Sequence, residues 1–434
     1  MMKKLVLVLL VLALCLQNAA AGGGQSGGSA GKETLTAWLN YTAGTDYEKY
    51  VENFSKLHPE INATLISYPS EDLKTQQRLA VDSGTAPDIM YINAGTMYSD
   101  FLRAGGLGDI TPIVNKLSLL SRINPDYIKP YTTNGKYYAF PGAPLTVWMN
   151  LYVNRDLFAK AGITRDPRTF SELIAVCKQL ASAGIAPIAI GAKDGWPPIL
   201  LMGDFFAQQV SNMAIINAVN SGRAKFTDNQ ELRKALEAVI NLGRSGAYIS
   251  GFTSMDHTGG IQTFAAGQSA MLYNGSWWTG VSGGTKLGFN LDVITLPFLD
   301  GVADNKSVQM SSDMAFAINP KSVQKASVEK FLDYITKEES CILTAEATGG
   351  FSIYPGSNAK VKMDPLFLKA PVQNQFSKPS LAPFFDWVFP TPVTELLKVL
   401  IHQGVAGSIT VDQALVQLQA EMDKNLNTMP LLAE

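Results

Sequence analysis

The residues that could do chemistry in this chain are notable first for what they lack. His58, His257 and His402 are its only histidines, scattered among unrelated elements, which gives little support to a histidine metal centre or nucleophile–base pair. GxSxG strings occur only within the glycine-rich runs 24–31 and 280–284, outside any strand–turn–helix pattern, and there is no Walker A loop, GxGxxG after a strand, HExxH or CxxC, so no metal or cofactor is expected. Glycoside hydrolysis needs only two carboxylates brought together by folding, and Asp194 and Asp313 are the candidate acids for it. A different set recurs at apparent strand ends: Trp38 with Asn40 and Tyr41, Asn93 after Ile92, Trp148, Asp194 with Trp196, and Asn274 with Trp277 and Trp278. Sugars present apolar C–H faces that a ring can cover and hydroxyl edges that amides and carboxylates satisfy. Each such neutral hydrogen bond contributes roughly 0.5–1.5 kcal/mol net. Singly, every one of these residues has a structural reading, since rings fill cores and Asn favours turns; their shared placement carries the argument.

The elements that must position them follow from periodicity. Helical spacing through Ile261, Phe264 and Ala265 stops at Gly267, and Ala270–Tyr273 reads as a short strand bounded by Gly267 and Gly275. Trp277 and Trp278 therefore stand just past a strand end, where ligands sit in open α/β sheets. Upstream, residues 34–39, 63–67 and 89–92 read as strands alternating with helices. Thr45 and Glu48 form the capping box of the first helix, whose stripe is Tyr47, Tyr50, Val51, Phe54 and Leu57. Further boxes lie at Thr169/Glu172 and Thr410/Gln413. Leu173, Cys177, Leu180 and Ala181 make one buried stripe, and Leu232, Ala235, Leu236, Val239 and Ile240 another. Gly195, Trp196, Pro197 and Pro198 read as a stiff turn before a helix. This alternation predicts an α/β fold with parallel sheets covered on both faces. Proline and glycine clusters near Pro141, Pro297 and Gly349 mark three crossings between two lobes.

Bulk properties agree with two lobes. At 434 residues, 46% hydrophobic and 17% charged, the chain exceeds a single core. A formal net charge of -2 leaves no electrostatic footprint for nucleic acid. Lys3, Lys4 and the apolar run Leu5–Leu16, with Ala19–Ala21 before Gly22, read as a secretory signal over 1–21. Alternatively Leu12–Cys15 is a lipobox, with signal 1–14 and Cys15 lipidated. Residues 22–33 are then a flexible Gly/Ser linker, and a lipid on Cys15 would be the only attachment to a membrane. Cys177 and Cys341 lie in apolar helical patterns, and spacing leaves their pairing open.

The order of PDIMYIN (87–93), YAFPGAP (138–144), LYVNRDLFAKAGI (151–163), FAAGQSAMLYNGSWW (264–278), SSDMAFAINP (311–320) and TVDQALVQLQ (410–419) resembles the bacterial extracellular solute-binding proteins of family 1. These are the sugar-binding components of ABC importers, relatives of the maltose-binding protein. The resemblance implies two Rossmann-like lobes joined by a multi-segment hinge, the type II periplasmic binding protein arrangement. Its expected divisions are 34–143 with 300–352, and 144–299 with 353–434. It implies a non-catalytic, monomeric receptor outside the cytoplasm, with a carbohydrate in the interlobe cleft and the importer's membrane permease subunits as partners. By position, Trp277 matches the sugar-stacking tryptophan, Asn40 and Tyr41 the first loop, Asn93 and Gly95 the loop after PDIMYI, and Asp194 with Trp196 a carboxylate–aromatic turn. Trp148, Asn274 and Asp313 complete the candidate ligand set. Trp278 is expected in the core, because adjacent residues leaving a strand point to opposite sides. Loops that carry charged sugar contacts in the maltose-binding protein are here mostly amide, glycine or apolar, which argues against maltose. The alternatives are a secreted glycoside hydrolase and a receptor for a polyamine or other small cation.

Overall fold

Two sheets, each built from distant parts of the chain, organise the protein. The computed structural model describes residues 32–41, 47–124, 127–142, 147–278, 287–311, 315–348, 350–375, 377–381, 383–429 and 432. Cys15, Thr45 with its side of the Thr45/Glu48 box, and Asp313 lie outside them. Residues Thr34–Glu434 form one compact unit; of the other, Met1–Glu33, only the last two residues are described.

The chain starts with β1 (Glu33–Tyr41), β2 (Ile61–Pro69) and β3 (Ile89–Ile92), passes a short hairpin of β4 (Thr132–Thr133) and β5 (Lys136–Tyr137), and reaches β6 (Ala139–Pro141). Then come β7 (Val147–Asn154), β8 (Ala186–Ala189), β9 (Ser269–Gly275), β10 (Leu291–Ile294), β11 (Val308–Ser311), β12 (Ala315–Ile318) and β13 (Ser380–Leu381). The first sheet runs β2-β1-β3-β12-β6 and the second β13-β11-β7-β9-β8, with β10 also on β7. Strand composition explains the order. In β1, Leu35, Ala37 and Leu39 are buried while Thr36 and Trp38 between them are half-buried; β3 and β9, buried at every position, lie inside their sheets.

The sheets are mixed where parallel ones were expected. β1 and β3, β8 and β9, and β11 and β13 pair parallel; β3–β12, β12–β6, β7–β9, β7–β10 and β7–β11 pair antiparallel. A strand that enters a lobe from the other lobe is not constrained by a βαβ crossover, so it can run in either direction. The second crossing also falls elsewhere. Leu296 and Leu299 anchor the Pro297 loop in the second core, and the chain returns to the first sheet only between β11 and β12. Segment 300–352, expected wholly with the first lobe, thus gives β11 to the second sheet and β12 to the first.

Local chemistry accounts for the helices. Gly267, at φ 71°, follows the helix His257–Ala265, as the stop predicts. The Thr410/Gln413 box is complete. At Thr169 only half of the box forms: its hydroxyl accepts from Glu172 N, but the Glu172 carboxylate takes the Arg168 N–H instead. All five residues of the 232–240 stripe are buried, while Ala181 is exposed and Val176 takes its place. Trp196, Pro197 and Pro198 form the first turn of the helix Trp196–Ala207, where proline's missing N–H costs nothing. Cys177 lies in the core of the second sheet and Cys341 in that of the first; both are free, and burial pushes each thiol up to about 12.

Candidate functional site

The two tryptophans after β9 separate as their adjacency predicts. Trp278 is 2% exposed, edge-on to Tyr152 at 4.6 Å and Phe264 at 5.5 Å. Trp277 is half-buried and opens a row of rings. Its centroid is 6.4 Å from Trp196 on one side and 6.3 Å from Phe384 on the other, and Phe384 is 5.3 Å from Trp387. Gly275 makes this orientation possible. A Cβ at that position would lie 2.0 Å from Trp277 Cζ3, so the indole rests directly on the glycine backbone.

Polar groups back the row. His257, at the start of its helix, sits 4.5 Å from the Trp196 ring, and its backbone N–H donates to Asp194 Oδ2 at 3.1 Å. His257 Nε2 lies 3.0 Å from Asn274 Oδ1, which also accepts the Gly275 N–H at 2.9 Å. An amide oxygen only accepts, so Nε2 carries the proton. Burial holds the imidazole below its usual range, hence neutral. Asn274 Nδ2 is left buried with no hydrogen-bond partner, an arrangement that native interiors rarely tolerate without a ligand or water.

The first-lobe side of the site meets the row at Trp387. Gly95, at φ 72°, approaches so closely that a Cβ would lie 2.3 Å from the Trp387 carbonyl oxygen. The neighbouring Thr96 hydroxyl lies 2.9 Å from that oxygen and 2.8 Å from that of Phe389. Beside this contact a cavity of about 460 Å³ opens between the helices Ser70–Ser83 and Thr96–Arg103 on one side and Phe385–Trp387 and Thr391–Val405 on the other. That volume is within the range of small-molecule sites. Its charged wall pairs Lys74 with Glu71 at 2.8 Å and Lys398 with Glu395 at 2.8 Å. Burial pushes the Asp386 carboxyl up to about 6 against the pull of Lys74 and Lys398.

The structure therefore joins four of the expected residues, Asp194, Trp196, Asn274 and Trp277, into one cluster, and brings Gly95 to the far end of its ring row. Parallel pairing of Trp38 with Met90 puts the ends of β1 and β3 on one sheet edge, so Asn40 and Asn93 share that edge. Asn40 keeps a buried Oδ1 without a partner, and Asn93 Nδ2 donates to the Tyr91 hydroxyl at 2.9 Å. Tyr41 closes β1, but its side chain lies outside the described residues. Trp148 departs from its expected role: it is 1% exposed, between Phe351 at 5.5 Å and Phe367 at 5.1 Å, in a core cluster. It lies inside β7, beneath two aromatics that arrive from the third crossing. Sequence reasoning missed His257, Lys74, Phe384, Asp386, Trp387 and Lys398. Only the aromatic run FFDWVFP (384–390) carried a signal, a cluster of rings ending at Pro390 before a helix.

Among the described residues no group of His, Cys, Asp and Glu could hold a metal ion, and no helix is long and apolar enough to cross a membrane. Comparison with known proteins gives concordant results. An ABC transporter extracellular-binding protein of Pyrococcus horikoshii, itself uncharacterized, is 25% identical over 401 residues, covering 87% of this chain and 84% of its own. A solved chitin oligosaccharide binding protein superposes with a TM-score of 0.77 at 21% identity, covering 90% of this chain and 99% of that one. A structure from work on xylan utilization by the thermophilic bacterium Caldanaerobius polysaccharolyticus gives 0.76 at 24% identity, over 89% and 99%. At these identities the solved structures establish the two-lobed fold. The family model of bacterial extracellular solute-binding proteins matches residues 39–340, more than half of the chain, and the chain belongs to that family.

Proposed function

We propose that the protein binds a carbohydrate, an oligosaccharide in the first instance, between its lobes and delivers it to the membrane permease of an ABC importer. The carrying observation is the pair of half-buried indoles Trp196 and Trp277, 6.4 Å apart, with the unpartnered Asn274 amide behind them; Phe384, 1% exposed, packs against Trp277 from the core. Two neighbouring indoles cover the apolar faces of adjacent sugar units, and a buried donor with no protein partner is satisfied by a hydroxyl. The solved relatives named for chitin oligosaccharide and xylan support the same ligand class. On this reading the protein acts as a monomer outside the cytoplasm, exported by its N-terminal signal or held there by a lipid on Cys15. A thermal-shift screen with chitobiose, xylobiose, maltose, galactose and tagatose tests it. A concentration-dependent rise in melting temperature with no turnover is expected. Steady hydrolysis of the stabilising sugar would overturn the receptor reading, and stabilisation by polyamines with none by sugars would replace the ligand class.

A further inference from the structure

Asp386 is unlike the other acids of the interlobe cavity. It is 8% exposed, it lines the cavity beside Trp387, and its Oδ1 is buried without a hydrogen-bond partner. The two cations nearest to it are already engaged. From the helix Ser70–Ser83, Lys74 Nζ reaches Glu71; from the helix Thr391–Val405, Lys398 Nζ reaches Glu395 at 2.8 Å and Glu71 at 3.9 Å. From the second sheet, the Tyr273 hydroxyl senses the Asp386 charge but donates to Asp204 Oδ2 at 2.7 Å. Elsewhere in the same cavity Arg78 is paired with Asp100, and Asp82 completes the acidic lining. The segment carrying Asp386 is held in place from behind, because Gln309 Oε1 accepts the Phe385 N–H at 2.8 Å. A buried acceptor without a donor, rigidly mounted next to a ring in a cavity of ligand size, is suited to an incoming hydroxyl or amide N–H.

We propose that Asp386 is a specificity-determining residue of the carbohydrate site, accepting a hydrogen bond from the ligand in its ionised form, so that binding expels a proton from the carboxyl. This rests on the carbohydrate reading and goes beyond it by naming the acceptor and a proton balance. Burial disfavours the carboxylate and, offset in part by Lys74 and Lys398, leaves it half-protonated near pH 6 in the free protein. A hydrogen bond donated to the ionised form reverses that preference. Below pH 6 the ligand then has to displace the proton, and affinity falls by about tenfold between pH 7 and pH 5, the limit for one coupled group.

The experiment uses the full chain and chitobiose, xylobiose, maltose and galactose as probes. Affinity is measured by calorimetry from pH 5 to pH 8, in buffers of different ionisation heat at pH 6. Expected are the tenfold decline, proton release that scales with buffer heat, and loss of both in Asp386→Asn, which keeps the side-chain shape. Asp204→Asn, at the half-buried acid that accepts the Tyr273 hydroxyl, is expected to keep the decline, and Trp277→Ala to bind more weakly with the same pH slope. Affinity of the wild type independent of pH, or an Asp386→Asn variant that binds as tightly with the same slope, overturns the role of Asp386 while leaving the carbohydrate reading standing. If no probe binds at any pH, the carbohydrate reading itself fails, and this inference with it.

Discussion

Replacing Gly275 with alanine tests the site through a single carbon atom. Gly275 lies in the strand Ser269–Gly275, and its conformation is open to alanine, because its φ lies outside the left-handed region. The obstacle is steric: the new methyl would sit 2.0 Å from Trp277 Cζ3, 2.2 Å from Cε3 and 2.3 Å from Cη2. Carbon atoms rest about 3.5–4.0 Å apart, so the indole has to recede by roughly 1.5 Å or leave its rotamer. Overpacking of this kind costs about 1–3 kcal/mol. Since the ring is half-buried, it can escape toward the cleft, and the cost then appears as lost ring–ligand contact more than as lost stability. We expect Gly275→Ala to weaken sugar binding by about five- to a hundredfold, with a shift in tryptophan emission and a melting temperature lowered by only a few degrees. Calorimetry with the stabilising sugar gives the affinity and fluorescence gives the ring. Gly184→Ala is the control: at φ 71° with nothing within 4 Å, it strains the backbone by about 1 kcal/mol and leaves affinity unchanged. Wild-type affinity and emission in Gly275→Ala would show that Trp277 neither rests on the glycine nor serves as the platform.

Trp277→Ala is expected to weaken sugar binding by about 1–3 kcal/mol in a folded protein, and unchanged affinity would remove it from the site. Trp278→Ala, emptying a fully enclosed position, is expected to cost about 3–5 kcal/mol in urea unfolding; an affinity loss without a stability loss would reverse the two roles. Cys177 and Cys341 should react with a thiol reagent only on unfolding, and rapid labelling of the native protein would contradict their burial. Burial pushes Asp204 up to about 7, offset in part by hydrogen bonds from Tyr273 and Gln309. Its folded value lies above an unfolded value of about 3.9. Stability is therefore lost as pH rises from about 4 to about 7, and Asp204→Asn should abolish that part of the slope in urea titrations at pH 5 and pH 8. An identical slope in the variant would mean that Asp204 ionises normally.

What could be read without the structure was what local periodicity encodes. The stripe from Leu232 to Ile240, the complete Thr410/Gln413 box and the helix stop at Gly267 each depend on residues within a few positions of one another, and all three formed. The separation of Trp277 from Trp278 is equally local, since it follows from neighbouring side chains diverging. Pairing direction was not legible, because β12 joins β3 antiparallel from more than 220 residues away. Trp148 was misplaced for the same reason: Phe351 and Phe367, which cover it, are two hundred residues downstream. Lys74 and Lys398 look like ordinary surface lysines on their own helices. Only the approach of those helices turns them into the wall of a cavity around Asp386. His257 was set aside because its partners, Asp194 and Asn274, come from two other elements.

The first sheet holds β12 between β3 and β6, and β12 begins at Ala315. During synthesis the first lobe therefore lacks an interior strand until nearly three-quarters of the chain has been made. A nascent chain shorter than that has β3 and β6 as open edges, with their Ile, Met, Tyr and Phe side chains uncovered. Long-range pairing of this kind folds slowly, because loop closure precedes any contact that rewards it. Neither sheet can be completed by a contiguous stretch of sequence, since each takes strands from both sides of residue 311. The order of the strands thus delays folding until the chain is almost whole.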